Sequence, residues 1–258
     1  MKKAIINKPY EDSEFLCFTT TNKGGYSQGN YGELNLGAYC GEKIDIVREN
    51  RSLVCSEVGV KGNMLFVPRE THQTESIIID ESFIQLSEEE QEQRMSNADA
   101  LITSQPAIAI AISTADCVPV VIIDKKNKRT AAIHAGWRGI AAEIIIKTLD
   151  KMQTLQPMDR DQTIAIIGPC IGANSFEVDY DVWEQIAGVF TNPTSIFKEK
   201  NDKKYKVDLR RAAEIQSNRY CGEIIISQED TKTSNNYYSA RRDGFATGRF
   251  LSGAVIKG

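Results

Sequence analysis

The stretch that decides the fold runs from residue 108 to residue 135 and reads Ile-Ala-Ile-Ala-Ile-Ser-Thr-Ala-Asp-Cys-Val-Pro-Val-Val-Ile-Ile-Asp-Lys-Lys-Asn-Lys-Arg-Thr-Ala-Ala-Ile-His-Ala. Its three apolar segments, Ile108–Ser113, Val118–Asp124 and Arg129–Ala135, each have the length and composition of a strand. The links between them are too short for helical crossovers, so neighbouring strands must form antiparallel hairpins or pass from one sheet to another. This arrangement predicts mixed sheets and the α+β class.

The segments outside this stretch do not alternate regularly between strand and helix. Further strands are predicted at 14–20, 64–68, 76–79, 163–167, 223–227 and 248–257. Apolar spacing predicts helices at 45–58, 140–152, 179–190 and 208–221. The acidic run 87–93 is expected to be a solvated turn or helix. No linker or repeat interrupts the chain, so we expect a single domain over residues 1–258.

Composition limits the classes of partner and compartment. The formal net charge of −4 argues against a protein whose main partner is nucleic acid, because phosphate neutralisation needs a basic face. No apolar run approaches the roughly 18 residues of a membrane span, and the first residues hold too few apolar side chains for a secretory signal. The six cysteines form no C-x-x-C pair. They are expected to be reduced thiols in a cytoplasmic protein.

Histidine is scarce, and its positions are informative. The chain holds only two, His72 and His134, and His134 ends the third central strand. Cys117 lies between the first two central strands, and His72 lies in a loop between two other strands. Three such strand ends can converge to give two imidazole ligands and one thiolate, a set that zinc accepts tetrahedrally. Three protein ligands leave the fourth position open for water or substrate, which is typical of a catalytic site.

Several distinctive motifs are spread along nearly the whole chain. They are Gly24-Gly-Tyr-Ser27, Leu34-Asn-Leu-Gly37, Glu49-Asn-Arg51, Ser113-Thr-Ala-Asp-Cys-Val-Pro119, Ile133-His-Ala-Gly-Trp-Arg-Gly139, Ile167-Gly-Pro-Cys-Ile171, Tyr238-Ser-Ala-Arg-Arg-Asp-Gly244 and Thr247-Gly-Arg249. In this order they resemble the motifs of one known family, the laccase-domain or polyphenol-oxidase-like family, which is also described as the peptidoglycan editing factor family.

The resemblance implies an enzyme with zinc at its centre. Members of the family are described as phosphorylases of adenosine, inosine, guanosine and methylthioadenosine that also deaminate adenosine. Carried over residue by residue, the metal ligands and catalytic residues are His72, Cys117 and His134. The implied fold is a layered α/β/β/α arrangement of mixed sheets that is shared with a deamidating toxin domain. The implied partners are a purine nucleoside and phosphate, and we expect a monomer or a weak homo-oligomer.

Phosphorolysis requires a phosphate site, and arginine suits oxyanions because its planar guanidinium presents a fork of donors. The candidates are Arg51, Arg138, Arg241, Arg242 and Arg249. By resemblance Arg51 is favoured for substrate contact. We assign Asn35 and Arg241 to substrate binding beside it.

The sequence also departs from the family pattern. The family commonly has Gln-Val-His-Gly in the first ligand loop, where this chain has Glu70-Thr71-His72-Gln73, and it often has a further cysteine where residues 229–236 have none. These departures affect the pocket wall and the substrate preference, whereas the ligand trio is intact.

Other functions stay open at this point. Copper at the same three ligands could give weak polyphenol oxidase activity, although a multicopper oxidase needs many more imidazoles than two. A metal-free cysteine hydrolase, with Cys117 as nucleophile and His134 as base, could edit peptidoglycan precursors by cleaving an amide. A non-catalytic binding protein with the same fold is a further alternative. The usual deaminase signature, H-x-E with P-C-x-x-C, is absent, so deamination would need another geometry.

Overall fold

The strands and helices follow one another without a regular repeat. The computed structural model describes residues 2–200 and 204–258. The strands in this part of the chain are β1 (Ile6–Glu11), β2 (Phe15–Thr20), β3 (Leu65–Phe66), β4 (Ser76–Ile78), β5 (Ala100–Thr103), β6 (Ala109–Thr114), β7 (Val118–Asp124), β8 (Arg129–Ala135), β9 (Thr163–Ile167), β10 (Glu177–Val178), β11 (Phe197–Lys200), β12 (Lys204–Val207), β13 (Glu223–Ile226) and β14 (Phe250–Ile256). The helices are α1 (Ile44–Val58), α2 (Glu81–Ile84), α3 (Glu88–Met95), α4 (Trp137–Ala141), α5 (Ile144–Leu155), α6 (Tyr180–Ala187), α7 (Leu209–Ser217) and α8 (Ala240–Asp243).

The three central strands are divided between two mixed sheets. The first sheet has the strand order β1-β2-β14-β6-β3, and the second has the order β13-β9-β7-β8-β5-β4. The link between β6 and β7 therefore crosses from one sheet to the other, while β7 and β8 form an antiparallel hairpin. Both sheets also hold parallel pairs: β3 with β6 in the first, and β4 with β5 and β9 with β13 in the second. The prediction of mixed sheets and of the α+β class is confirmed.

The sheets pack face to face, and each carries helices on its outer side. Successive strand residues point to opposite faces of a sheet, and β2 illustrates this alternation. Phe15 and Cys17 pack with residues of β7 and β9 between the sheets, whereas Leu16 and Phe18 pack with Val54 of α1. The outer face of the second sheet is covered by α4, α5 and α7. These layers are the α/β/β/α arrangement that the family resemblance implies.

The structure differs from the sequence-based expectations at one helix and at several short strands. The helix predicted at 140–152 is two helices, α4 and α5, because Glu143 has a left-handed backbone with φ of 59°. Ile140 and Ile144 are both buried, so the apolar stripe continues across the break and conceals it. The strands β1 and β5 were not predicted, and neither was a small sheet of order β10-β12-β11. The acidic run, expected to be a solvated turn or helix, is the helix α3, which begins with a capping box between Ser87 and Glu90.

The described part of the chain contains no helix that is both long enough and apolar enough to cross a membrane.

Candidate metal centre

The fold brings the three predicted ligands together. One ligand atom from each of His72, Cys117 and His134 lies within 4.8 Å of the others, and the distance between Cys117 Sγ and His72 Nε2 is 3.8 Å. His134 lies near the end of β8. Cys117 immediately precedes β7, which is the hairpin partner of β8. His72 enters from the loop between β3 and β4. The crossing between the two sheets is therefore what places the thiol beside both imidazoles.

Asp99 orients both histidines from a fully buried position just before β5. Its Oδ1 accepts hydrogen bonds from His134 Nδ1 at 2.8 Å and from the backbone N–H of His72 at 2.9 Å. Its Oδ2 accepts from the backbone N–H groups of Gln73 at 2.8 Å and Thr71 at 3.2 Å. An ionised carboxylate only accepts hydrogen bonds, so His134 must carry a proton on Nδ1 and direct Nε2 toward the thiol.

Two residues of the centre have backbone conformations that non-glycine residues rarely adopt. His72 has φ of 62°, and Asp116, which precedes the thiol, has φ of 103°. Such conformations persist only where the surroundings fix them, and they are concentrated at functional sites. The Asp116 carboxylate is held by two hydrogen bonds, from the Thr231 hydroxyl at 2.6 Å and from the backbone N–H of Arg241 at 2.7 Å. The C-terminal part of the chain thus fixes the turn that presents Cys117.

Gly136 allows the backbone after β8 to approach the three ligands closely. A Cβ atom at this position would lie 3.0 Å from His72 Cδ2 and 3.1 Å from Cys117 Sγ. Both contacts are tighter than ordinary van der Waals contact, so a larger residue would displace a ligand. The absence of a side chain at this position keeps space open around the ligand atoms.

Electrostatics favour a thiolate at neutral pH. Burial alone would raise the pKa of Cys117, but the charges and hydrogen bonds of His134 and His72 outweigh it and lower the pKa to about 6. For His134, burial opposes the charged form, yet the thiolate of Cys117 and the hydrogen bond to Asp99 raise its pKa well above the usual value. Without a metal the two side chains therefore form a thiolate–imidazolium pair.

The donor set is suited to a metal ion. One thiolate and two imidazoles whose ligand atoms lie within 4.8 Å of one another match the ligand types and number of catalytic zinc sites. The carboxylate behind His134 is the hydrogen-bond partner that metal-ligating histidines usually have. The cluster borders a cavity of about 690 Å³, so a fourth ligand has access to it. The residues present thus fit one bound metal ion.

The predicted substrate residues are placed differently from one another. Arg51 lines the cavity, but its Nε and Nη2 both donate to the Leu36 carbonyl, at 3.0 and 2.9 Å. Arg241 also lines the cavity, stacks over Phe176 at 5.1 Å and donates from Nη1 to the Glu177 carbonyl at 3.2 Å.

Asn35 is fully buried and is not among the residues that line the cavity. It donates to Glu42 at 2.8 Å and accepts from the backbone N–H groups of Gly37 and Arg249. A direct contact between Asn35 and substrate stays a prediction. These hydrogen bonds indicate that Asn35 holds the cavity wall together.

The other candidate arginines differ in how many of their N–H groups are already used. Arg242 donates to the carbonyls of Thr231, Ser234 and Tyr237 and to Asp243, so its guanidinium fastens the C-terminal loop. Arg249 donates to the carbonyls of Thr247 and Gly248 within the same loop. Arg138 lines the cavity and stacks over the Trp137 ring at 4.3 Å.

Sequence reasoning missed Asp99, Glu70 and Gly136 as parts of the centre. Glu70 lines the cavity and accepts hydrogen bonds from the backbone N–H and the hydroxyl of Ser113, at 2.6 and 3.0 Å. Burial raises the pKa of its carboxyl, although His134 opposes this shift. The available signals were Glu70, two positions before His72, and Gly136, two positions after His134. For Asp99 no local signal existed, because its partners lie 26 to 35 positions away.

Comparison with known proteins gives consistent likenesses over the full chain. The sequence model of the family described as multi-copper polyphenol oxidoreductase laccase matches residues 16–257. A Bacteroides thetaiotaomicron protein named purine nucleoside phosphorylase is 35% identical over 249 residues, covering 95% of this chain and 92% of that protein. A protein named adenosine deaminase, from an unknown prokaryotic organism, is 32% identical, covering 100% of this chain and 99% of that protein. The crystal structure of a Neisseria meningitidis protein superposes with a TM-score of 0.85, at 30% identity and 100% coverage of both chains.

Proposed function

This chain belongs to the family described as multi-copper polyphenol oxidoreductase laccase, and from that premise we propose that it is a zinc-dependent purine nucleoside phosphorylase. The observation that carries the proposal is the cluster of His72, Cys117 and His134 at the cavity, in a chain whose relatives include proteins named for phosphorolysis of purine nucleosides. Adenosine, inosine, guanosine and methylthioadenosine are the proposed substrates. Deamination of adenosine is a proposed side activity, since another relative is named adenosine deaminase.

Zinc is the metal we propose for this centre. When bound by His72, Cys117 and His134, it would supply a Lewis acid that stabilises negative charge developing on the reactants. Asp99 contributes by holding the proton on His134 Nδ1, which keeps Nε2 free as a ligand. Gly136 contributes by leaving room beside the ligand atoms.

The cavity accounts for binding and orientation of the two substrates. Its volume of about 690 Å³ lies within the range of ordinary small-molecule sites, about 300–1,000 Å³. Arg241 has donors beyond the one used by the Glu177 carbonyl, and Arg51 has donors beyond those used by Leu36. We place phosphate against one or both of these guanidiniums. A phosphate oxygen then bonds to C1′ of the ribose as the bond to the base breaks, and the proton of hydrogen phosphate ends on the departing purine.

The direct test is to incubate zinc-loaded protein with inosine and follow hypoxanthine release with and without phosphate. Release that requires phosphate, with ribose 1-phosphate as the second product, supports the proposal. The Cys117→Ala variant should lose both the stoichiometric zinc and the release, because only two ligands remain. Hypoxanthine release at the same rate without phosphate, or a Cys117→Ala protein that keeps one tightly held zinc, would overturn it.

A second candidate function has one specific observation in its favour. The pKa of Cys117 is lowered to about 6 by His134 and His72, against the effect of burial, and Asp99 in turn orients His134. A thiolate, an imidazole and an orienting carboxylate are the parts of a cysteine hydrolase. In that case the metal-free protein would cleave an amide in a peptidoglycan precursor, and stoichiometric zinc would inhibit it. Assaying both substrates with zinc-loaded and zinc-free protein separates the two functions.

Copper-dependent polyphenol oxidation is a third activity that the same ligands could support weakly. Reconstitution with copper in place of zinc, followed by an assay for phenol oxidation, tests it separately.

A further inference from the structure

Phe245 is the most exposed large hydrophobic side chain in the described part of the chain. Its ring is 88% exposed, and the next most exposed, Tyr39, is at 60%. Phe245 nevertheless lines the cavity that borders the metal centre. A phenyl ring left in water at the mouth of a ligand cavity is a surface that a ligand can cover, because burying apolar area is favourable.

The other aromatic rings of phenylalanine, tyrosine and tryptophan that line this cavity are already covered by a cation. The Arg69 guanidinium lies 5.0 Å from the Tyr39 ring centroid. Arg138 covers Trp137 at 4.3 Å, and Arg241 covers Phe176 at 5.1 Å. Among the described residues, no ring or cation contact engages the phenyl group of Phe245. Within the described residues it is therefore the cavity aromatic that has neither face engaged by a cation.

The backbone around Phe245 is fixed, although its ring is free. Gly244 has φ of 84° and ψ of 175°, a region that essentially only glycine occupies. Beyond the ring, the Thr247 hydroxyl donates to the Asn30 carbonyl at 3.2 Å. Arg249 Nη2 donates to the carbonyl of Phe245 itself at 3.4 Å. The side chain is thus presented at the cavity rim from an anchored turn.

We propose that Phe245 is a base-binding residue on which the purine of the bound nucleoside stacks. This inference rests on the proposed function and extends it, because it names the residue that recognises the base. A purine has two apolar π faces, and stacking on an aromatic side chain is favourable for every base. The arginines that cover the other rings are left to contact phosphate and ribose. Recognition of the base and of the anion is then divided between different residues.

The test compares three substitutions at one position with a remote control. Phe245→Ala removes the ring, Phe245→Leu keeps apolar volume without a π face, and Phe245→Tyr keeps the ring. Tyr180→Ala removes a ring that is 44% exposed and does not line the cavity. Inosine binding to the zinc-loaded proteins is measured by calorimetry without phosphate, and the KM values for inosine and phosphate are measured separately.

We expect Phe245→Ala to weaken inosine binding about tenfold, the lower part of the range for stacking of a base, with the KM for phosphate unchanged. Phe245→Leu should be nearly as weak, and Phe245→Tyr and Tyr180→Ala should bind as the wild type does. In the Phe245 variants the zinc content and the melting temperature should not change, because the Phe245 side chain is exposed. Wild-type affinity in Phe245→Ala or Phe245→Leu would overturn the stacking proposal alone. Wild-type protein that binds and cleaves no purine nucleoside would instead overturn the proposed function.

Discussion

Replacing Asp99 by asparagine tests whether a single buried carboxylate organises the metal centre. The substitution preserves the size of the side chain and removes its charge. One oxygen of Asp99 accepts from His134 Nδ1 and from the His72 backbone, and the other accepts from the backbone of Thr71 and Gln73. An amide offers one acceptor oxygen and one NH₂ group, so it cannot satisfy both sets of donors.

Each orientation of the amide has a different cost. With its oxygen toward His134, the NH₂ group faces two backbone N–H groups that then have no acceptor, at about 1–3 kcal/mol each. With its NH₂ group toward His134, the imidazole must accept at Nδ1, which moves its proton to Nε2 and removes a metal ligand. The first orientation is compatible with metal, so we expect it in the loaded protein. Its total cost, about 2–6 kcal/mol, is comparable to the unfolding free energy of an ordinary domain, about 5–15 kcal/mol.

We therefore expect Asp99→Asn to fold with a lower melting temperature and to bind zinc about 10–100-fold more weakly, the usual effect of mutating the hydrogen-bond partner of a ligand, because a neutral amide oxygen is a weaker acceptor than a carboxylate. Zinc affinity is measured by competition with a chelator of known affinity, and unfolding by calorimetry of the zinc-free protein.

Asp124→Asn is the matched control for burial and charge. Asp124 is also fully buried and accepts from Arg129 Nη2 at 2.7 Å, but it does not line the cavity. Breaking a buried ion pair costs about 3–5 kcal/mol, so this variant should be destabilised while zinc affinity stays unchanged. A folded Asp99→Asn protein whose zinc affinity is within threefold of wild type would refute the role assigned to Asp99.

Three further outcomes are expected. Zinc binding near pH 7 should release about one proton, which comes from His134. The pKa of Cys117 is lowered to about 6, so its thiol is already ionised, whereas the raised pKa of His134 leaves its imidazole charged. Calorimetry in buffers of different ionisation enthalpy measures the number of protons released, and a value near zero contradicts the ion pair. Gly136→Ala should lower zinc affinity with little loss of stability, because the added carbon would lie 3.1 Å from Cys117 Sγ; chelator competition checks it. Arg241→Ala should raise the KM for phosphate without lowering the melting temperature. Arg242→Ala should lower the melting temperature, because the Arg242 guanidinium holds the C-terminal loop in place. Equal melting temperatures for the two variants would be the contrary result.

The central strands and the clustering of His72, Cys117 and His134 could be predicted, because short apolar runs and the scarcity of histidine are visible in the sequence. Each central strand is a short apolar run bounded by polar residues, and the two histidines leave little choice of imidazole ligand. The division of these strands between two sheets could not be decided, since a short link permits either a hairpin or a crossing. Both occur: the link from β6 to β7 crosses between the sheets, and the link from β7 to β8 forms a hairpin.

The arginines illustrate what sequence could not supply. Arg51, Arg241, Arg242 and Arg249 carry equal formal charge, and although the resemblance favours Arg51, the sequence does not show which of their N–H groups are already used. In the structure the guanidinium of Arg242 is used by four backbone carbonyls and a carboxylate, whereas Arg241 uses one donor on a carbonyl. Which donors stay available depends on where loop carbonyls lie in space. That placement follows from long-range packing, which no local pattern encodes.

The inventory of ligands also limits what the family description implies for this chain. A multicopper oxidase holds a blue copper site and a three-copper cluster, which together require many more imidazoles than two. Both histidines of this chain are used at one centre, with Cys117 as their partner. A single chain therefore cannot assemble the sites through which such oxidases reduce oxygen. The same three ligands are sufficient for one zinc ion with an accessible fourth position. Chemistry that uses one Lewis acid beside a cavity of nucleoside size is consistent with that inventory.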